Sequence, residues 1–591
     1  MKKNNLLLTL LLLMIQTGSA QNVGIGTNTP ASKLHVKGAA DNTQLIIDAH
    51  STQSNTQPLI RLRNSSGADL MWIHSDDATN CFVGLNAGKE NNAGGGGLYN
   101  TFSGSKAGFS NTTGNQNSAI GYQALYLNTA GYNNSAMGFR ALYSNTTGYN
   151  NSAIGFQSLF SNTTGHFNSA TGNNALLSNT TGNQNSAMGN NTLVINSTGS
   201  DNSAMGFEAL YSNTTGGANS AMGSFALNSN TSGLFNSALG YQSLYSNSSG
   251  DNNSGLGYAT LYSNTTGAAN TAIGNAAIYS NTTGNFNSAV GSAALTLNTT
   301  GSYNCAMGSA ALFSNTTGTD NSAMGFEALR FNTAGNFNAA IGYQSLYSNT
   351  TGYYNSAVGD GALYSNTTAY SNSAIGYSTL YFNTTGQFNA AVGSFALYSN
   401  TTGDYNTAMG YNSGTSAGSF TNTISIGNNG WLNGASNQAF IGNASTGWIG
   451  GWVGWSIYSD ARIKTKIAED VKGLDFIKRL RPVTYYRSIN AAIQISGNKE
   501  TAEFPEKYDV EKTQYSGFLA QEVEQAAYAS GYNFSGLIKP KTKYDLYSLT
   551  YEAFVVPLVK GMQEQQAIIE EQNKKIDMIL KEIQEIKGKL K

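Results

Sequence analysis

"NSAMGFEALYSNTTGGA", residues 202–218, is one copy of a unit that recurs every 17 residues. Its first Asn returns at Asn117, Asn134, Asn151, Asn168, Asn185 and Asn202, and the register holds without a slip to Asn389 and Asn406. Constant length without insertions requires each unit to close on the same geometry as its neighbour, so the repeat predicts a solenoid. Within the unit the fourth position is almost always aliphatic or Met (Ile120, Met137, Ile154, Met188, Met205), and the ninth is Leu (Leu125, Leu142, Leu159, Leu210). These positions have opposite parity, and one straight strand cannot bury both. The expected coil is two short strands bent near the fifth-position glycine, such as Gly121, with both apolar positions turned inward. "NTTG" closes the coil: Asn and Gly supply left-handed backbone angles, and Thr favours the strands. At about 4.8 Å per coil, roughly twenty coils give a rod on the order of 90–100 Å long.

Stacking identical units places Asn on Asn and Tyr on Tyr, as at Tyr126, Tyr143, Tyr211, Tyr245 and Tyr262. Such ladders hold coils together; an aromatic stripe that binds glycan or another surface is the functional alternative. Asn-Thr-Thr matches a glycosylation sequon, but its return in every unit points to a backbone role. Less regular coils from Asn80 and Asn100 lead into the array.

Composition agrees with a repetitive shaft. The chain of 591 residues has a net charge of -1, and only 11% of its residues are charged. Between Asn117 and Tyr411 the charges are Arg140, Asp201, Glu208, Asp251, Asp320, Glu327, Arg330, Asp360 and Asp404. Most others crowd toward the C-terminus, and nothing in the balance points to nucleic acid. Residues 1–20, "MKKNNLLLTLLLLMIQTGSA", combine a basic start, a short apolar run and small residues at the end. That pattern reads as a secretory signal and predicts a secreted or cell-surface protein. No later segment is long and apolar enough to span a bilayer as a helix. Cys81 and Cys305 lie many coils apart, too far for a disulfide within one chain. The four His residues are scattered, so neither a metal nor another cofactor is expected.

Beyond Ser459 the texture changes. "GLDFIKRLRPVTYYR" has helical periodicity up to Arg481 and then strand-forming residues, and "YSGFLAQEVEQAA" reads as a strand turning into a helix. A long amphipathic helix follows. Its heptad places Val555, Met562, Ile569, Ile576, Ile583 and Leu590 at one core position, with Leu558, Gln565, Gln572, Ile579 and Ile586 at the other. Isoleucine at both positions favours trimers or tetramers over dimers, and a trimer fits a three-fold shaft. Pro557 suggests that the continuous coiled coil starts after it.

The 17-residue array resembles the head repeats of trimeric autotransporter adhesins and related bacterial surface fibres, although the unit length departs from theirs. "NVGIGTNTPASKLHVKG" looks like the short β module that precedes the shaft in many tail-fibre-like exported proteins, and "PLIRLRN" and "LMWIHSD" read as strands. "SDARIKTKI", "LRPVTYY", "GFLAQEV" and "LTYEAFVVPLVKGMQE" together resemble the intramolecular chaperone domain that ends endosialidases and other phage tailspikes, found also in the myelin regulatory factor. The resemblance implies a domain that trimerises, guides folding of the preceding β-shaft and then cuts itself away. It carries Ser459 over as nucleophile and Lys464 as base, with Tyr458–Ser459 as the scissile bond. Asp460, Arg462, Gln521 and Glu522 are the supporting motif positions.

A serine needs a base to attack a carbonyl, and a lysine can serve where burial or neighbouring cations leave it neutral. Five residues do not form one helical face, so either the turn after Ser459 folds Lys464 back or a neighbouring chain helps. The bland alternative is that Ser459 caps a helix holding Arg462 and Lys464.

The expected fold is mainly β, a parallel β-roll or β-solenoid shaft, trimeric, followed by an α+β chaperone domain ending in a coiled coil. The expected divisions are 1–20 signal, 21–79 N-terminal β module, 80–416 shaft, 417–458 Trp/Gly-rich neck, 459–560 chaperone and 561–591 coiled coil. The expected function is a homotrimeric adhesive or structural fibre whose C-terminal domain acts once, as a self-cleaving serine endopeptidase, and a surface glycan is a candidate ligand. Three rivals stand beside it: a phage-type tail fibre, a glycan-degrading spike, and a trimerisation domain that does not cleave. The signal sequence argues against the first, which would assemble in a host cytoplasm. Paired carboxylates in a cleft, expected of the second, are not suggested by the scattered acids of the shaft.

Overall fold

Each regular coil contributes one three-residue strand, not two, and this single strand orders the rest of the unit. In a computed structural model of the chain, the structure describes residues 23–25, 34–36, 45–48, 54–452, 455–496, 505–541, 543 and 545–590. Residues 1–20, read as a secretory signal, lie outside the described residues. The chain divides into two units, Met1–Phe235 and Asn236–Lys591.

In the first unit, Ile60–Arg63 and Asp69–His74 form an antiparallel hairpin, and Asp69–His74 pairs antiparallel with Cys81–Val83. Arg61, Arg63 and the Trp72 indole all donate to the Asp69 carboxylate, which fixes the hairpin. Cys81–Val83 then opens a parallel ladder by pairing Cys81 with Thr101, and Thr101 with Ser118. From there the register is strict: Ser118 pairs with Ser135, Ala119 with Ala136 and Ile120 with Met137, and the pattern continues to Ser220–Met222. In the second unit the same parallel pairing runs from Ser237–Leu239 to Ala439–Ile441.

The core of a coil is thin. Ala119, Ala124 and Leu125 are fully buried, as are their counterparts Ala141 and Leu142 one coil on. Each buried Leu stabilises its coil by about 1.5–3 kcal/mol. The third position faces the eighth across this core. Gly255 replaces the usual third-position Ala where Ser243 and Thr260 occupy the eighth, and a Cβ on Gly255 would lie 2.4 Å from the Ser243 hydroxyl.

That narrowness corrects the expectation for the fourth position. Ile120, Met137, Ile154, Met188 and Met205 are 42–50% exposed. In the strand Ser118–Ile120 only the middle residue points inward, and a short strand with alternating faces cannot also bury its ends. The ninth-position Leu reaches the core by another route: Gln123 and Leu125 both have left-handed φ, 54° and 53°, so the chain winds there and does not run extended. The amide of Leu125 donates to the carbonyl of Ala141 in the next coil at 2.9 Å, and such bonds offset the cost of the unfavourable φ.

The left-handed angles also fall elsewhere than expected. They lie at Gly121 (φ 133°), Gln123, Leu125 and Asn133, not within the "NTTG" closures. The closure is held by side chains. Asn128 Nδ2 donates to Asn111 Oδ1 one coil away (2.6 Å) and to its own coil's Gly131 carbonyl (3.0 Å). Asn134 donates its backbone N–H and its Nδ2 to Asn117 Oδ1 at 3.0 and 3.1 Å. Thr129 donates its hydroxyl to the Thr146 carbonyl. The buried asparagines of the regular coils are thus tied to their copies one repeat away, which is how a nearly uncharged polar sequence makes a dry core. Aromatic residues stack as expected, with Tyr126 on Tyr143 at 5.1 Å and Tyr262 on Tyr279 at 4.9 Å. Several aromatic positions face solvent, Tyr122 and Tyr258 among them.

The second unit ends in an α+β region. Four helices, α1 (Leu474–Ile477), α2 (Ile489–Ser496), α3 (Ala520–Ala529) and α4 (Val555–Lys589), accompany the antiparallel pair Val483–Tyr485 with Tyr515–Gly517. Phe476, Val523, Ala526, Ala527, Phe534 and Phe554 form the core. α1 lies against α4 at two glycines: a Cβ on Gly473 would sit 2.6 Å from the Gly561 nitrogen. Glu564 accepts the free amide of Leu474 there at 2.7 Å. Pro557 falls in the first turn of α4, where its missing N–H costs no helical bond. Among the described residues no helix is long and apolar enough to cross a membrane.

Candidate auto-processing site

The segment that leads into Ser459 is held open to solvent. Trp448, Trp455 and Tyr458 are 84%, 86% and 94% exposed. Immediately after it, Asp460 caps a 3-10 turn, Ala461–Ile463, by accepting the Arg462 amide at 2.8 Å. The Arg462 guanidinium closes on the same carboxylate at 2.5 Å. These bonds hold the Asp460 carboxyl below its ordinary range, with the guanidinium contact the larger cause.

The turn reverses the chain within five residues. Lys464 N donates to the Ala461 carbonyl at 3.1 Å, and Lys464 Nζ reaches back to donate to Ser459 Oγ at 2.6 Å. The local turn within one chain thus brings the two side chains together. Both are solvent-exposed. The capping alternative is corrected on one point: Asp460, not Ser459, caps the turn, because its carboxylate is placed to accept the second following amide.

The other motif positions lie apart. Glu522, in the first turn of α3, pairs with Arg481 at 2.5 Å and so ties "GFLAQEV" to "LRPVTYY". The pairing lowers the Glu522 pKa and raises that of Arg481, each chiefly through this hydrogen bond. Gln521 is exposed beside it. Among the described residues no hydrogen bond or ion pair joins Glu522 or Gln521 to the turn at 459–464. Arg481 is the residue that sequence reasoning passed over as a partner of Glu522, although its motif had been marked.

Residues 459–532 match the family described as the chaperone of endosialidase. The match opens on Ser459 itself and runs through α1, α2 and α3 to Tyr532. It takes in Asp460, Arg462, Lys464, Arg481, Gln521 and Glu522, while α4 lies beyond it. The matched segment therefore follows directly on the exposed neck and the β-solenoid. No curated protein matches the chain.

The chemistry available at the turn is narrow. A serine hydroxyl and a lysine amine within hydrogen-bond reach are the residue types of a nucleophile and a base, and here a capped, ion-paired turn holds them together. Tyr458 directly precedes Ser459, so the nearest backbone carbonyl carbon upstream of the Ser459 hydroxyl belongs to Tyr458.

Proposed function

We propose that this chain is an exported homotrimeric fibre whose endosialidase-chaperone segment aligns three copies, guides the solenoid into register and then cuts the Tyr458–Ser459 bond. The observation that carries the cleavage is the 2.6 Å contact between Lys464 Nζ and Ser459 Oγ at the first residue of the family match. Lys464, as a neutral amine, takes the hydroxyl proton while Ser459 Oγ adds to the Tyr458 carbonyl carbon. Collapse of the adduct breaks the C–N bond, and the proton passes to the departing amine of Ser459. The resulting ester is hydrolysed by water, which leaves a Tyr458 carboxylate and a new N-terminal Ser459 with its hydroxyl restored. A neutral lysine requires desolvation, and packing of neighbouring copies over this exposed turn is the natural source of it.

Trimerisation draws support from the exposed seam of α4, where Met562, Ile576, Ile579 and Ile586 are 53–71% exposed. A chaperone is needed because coils so alike can pair in many wrong registers, and non-local strand pairing is slow. Removing it afterwards closes the route back and makes the shaft kinetically stable. Export rests on residues 1–20, and the released shaft would serve adhesion or surface structure, with its exposed aromatic stacks available to glycan. A second reading, a permanent trimerisation cap, is favoured by the full exposure of the dyad in the single chain.

Intact mass and N-terminal sequencing of the purified protein beside a Ser459→Ala variant decide between them. A wild-type fragment that begins at Ser459 and is absent from the variant supports processing. A full-length trimeric wild type leaves only the cap.

A further inference from the structure

The outward face of the solenoid strand in the second unit is apolar and uncharged, and its side chains are exposed in the single chain. Its fourth-position residues Leu239, Ile273, Met307, Ile341, Ile375 and Met409 are 38–53% exposed. Beside them the second position is small from Ser237 to Thr407: Ser237, Thr271, Cys305, Ala339, Ser373 and Thr407 sit at the start of the same strands. The acids and the one arginine of these coils (Asp251, Asp320, Glu327, Arg330, Asp360, Asp404) all occupy other positions of the repeat, and none stands at the second or fourth. Charge is absent from this face, as it is from most positions of the repeat, and a row of aliphatic side chains beside small ones suits packing against another sheet.

We infer that this face is where copies of the chain meet along the shaft, with the fourth-position ladder turned toward a common axis. This inference rests on the trimer proposed above and assigns its shaft interface. A row of small residues beside a row of aliphatic ones lets flat sheets approach to about 10 Å and interdigitate. Each coil exposes on the order of 80 Å² of apolar surface here, so about ten coils reach the roughly 800 Å² per partner of a standard stable interface. The same unit ends in the exposed isoleucine seam of α4, so a contact between copies on the shaft continues one on the helix. The occupant is a second copy and not a sugar, because glycan recognition requires converging polar groups, and this face offers little beyond small hydroxyls.

Cys305 provides a native probe. It lies at the second position of the strand Cys305–Met307, on the outward face, as a free thiol. Ser314 is half-buried on the far side of the coil, two residues beyond the buried Leu312. The test uses the full chain carrying Cys81→Ser, treated with a short bismaleimide, beside a second chain carrying Cys81→Ser, Cys305→Ser and Ser314→Cys. Sedimentation of both gives the oligomeric state. The expected result is a trimer in both cases, a covalent dimer through Cys305 and none from the Ser314→Cys chain. A trimer in which Cys305 stays unlinked overturns this face and leaves the trimer standing. Equal linking from both chains also overturns it, since no one face is then buried between copies. A monomer removes the trimer and the interface together.

Discussion

Lys464 Nζ meets Ser459 Oγ because Asp460, between them, caps the intervening turn and holds Arg462 in an ion pair. In the proposed cleavage Asp460 is thus a positioning residue. Asp460→Ala releases both the Arg462 amide and its guanidinium, which widens the turn and misplaces the base. A displacement of about 1 Å at such a site costs on the order of 100-fold in rate. Time courses of fragment appearance should show slowed but measurable cleavage in Asp460→Ala, partial recovery in Asp460→Asn, which keeps an acceptor for the amide, and none in Lys464→Ala. Equal rates in Asp460→Ala and wild type would falsify the positioning role.

Two glycines of the coil differ in what they tolerate. At Gly155 (φ 135°) an added Cβ would meet the Gly172 carbonyl at 2.3 Å, a backbone contact in a left-handed conformation. At Gly165 the added Cβ meets the Asn162 amide and the Gly182 carbonyl, yet the chain itself carries Ala369 at the equivalent place. Gly155→Ala should therefore destabilise its coil by about 1–3 kcal/mol, and Gly165→Ala by clearly less. Hydrogen exchange of the Ser152–Ile154 amides in the two variants checks the order.

The asparagine ladder should be cooperative along its length. Asn162 donates to Asn145 Oδ1 and to the Gly165 carbonyl, and accepts from Asn179 Nδ2. Asn162→Ala leaves Asn145 Oδ1 without its donor and strips one bond from Asn179, a loss of about 1–3 kcal/mol per buried orphaned group. Exchange protection should fall in the coils on both sides, not in the mutated coil alone. Protection lost only at the mutated coil argues against coupling.

The first hairpin should be acid-sensitive. Arg61 foremost, with Arg63 and the Trp72 indole, lowers the Asp69 pKa from 3.8 to about 2 in the folded chain. A depressed carboxyl pKa contributes stability that is complete above the ordinary value and is lost as pH falls through the folded one. Amide exchange across Ile60–His74 should therefore accelerate as pH drops from about 4 toward 2, after correction for intrinsic rates. Asp69→Asn should weaken the hairpin at neutral pH and remove this dependence.

The strict period of 17 made the solenoid legible, because stacking tolerates no insertion. Much of the helix and strand order after Ser459 was legible from ordinary periodicity, though α2 was not, and the pairing of Ser459 with Lys464 as a candidate dyad came only from the resemblance to the endosialidase chaperone. What the sequence could not decide was direction. Aliphatic residues at the fourth position read as core because they are apolar and regular, but the cross-section between the third and eighth positions admits little more than Ala, so they face outward. Leu125 reaches that core through a left-handed backbone, which no pattern of side chains announces. The turn capped by Asp460 likewise depends on where one carboxylate lies relative to two following amides. Periodicity is a property of the chain and can be counted; which side of a strand is inside depends on how much space the opposite wall leaves, and only the folded coil sets that distance.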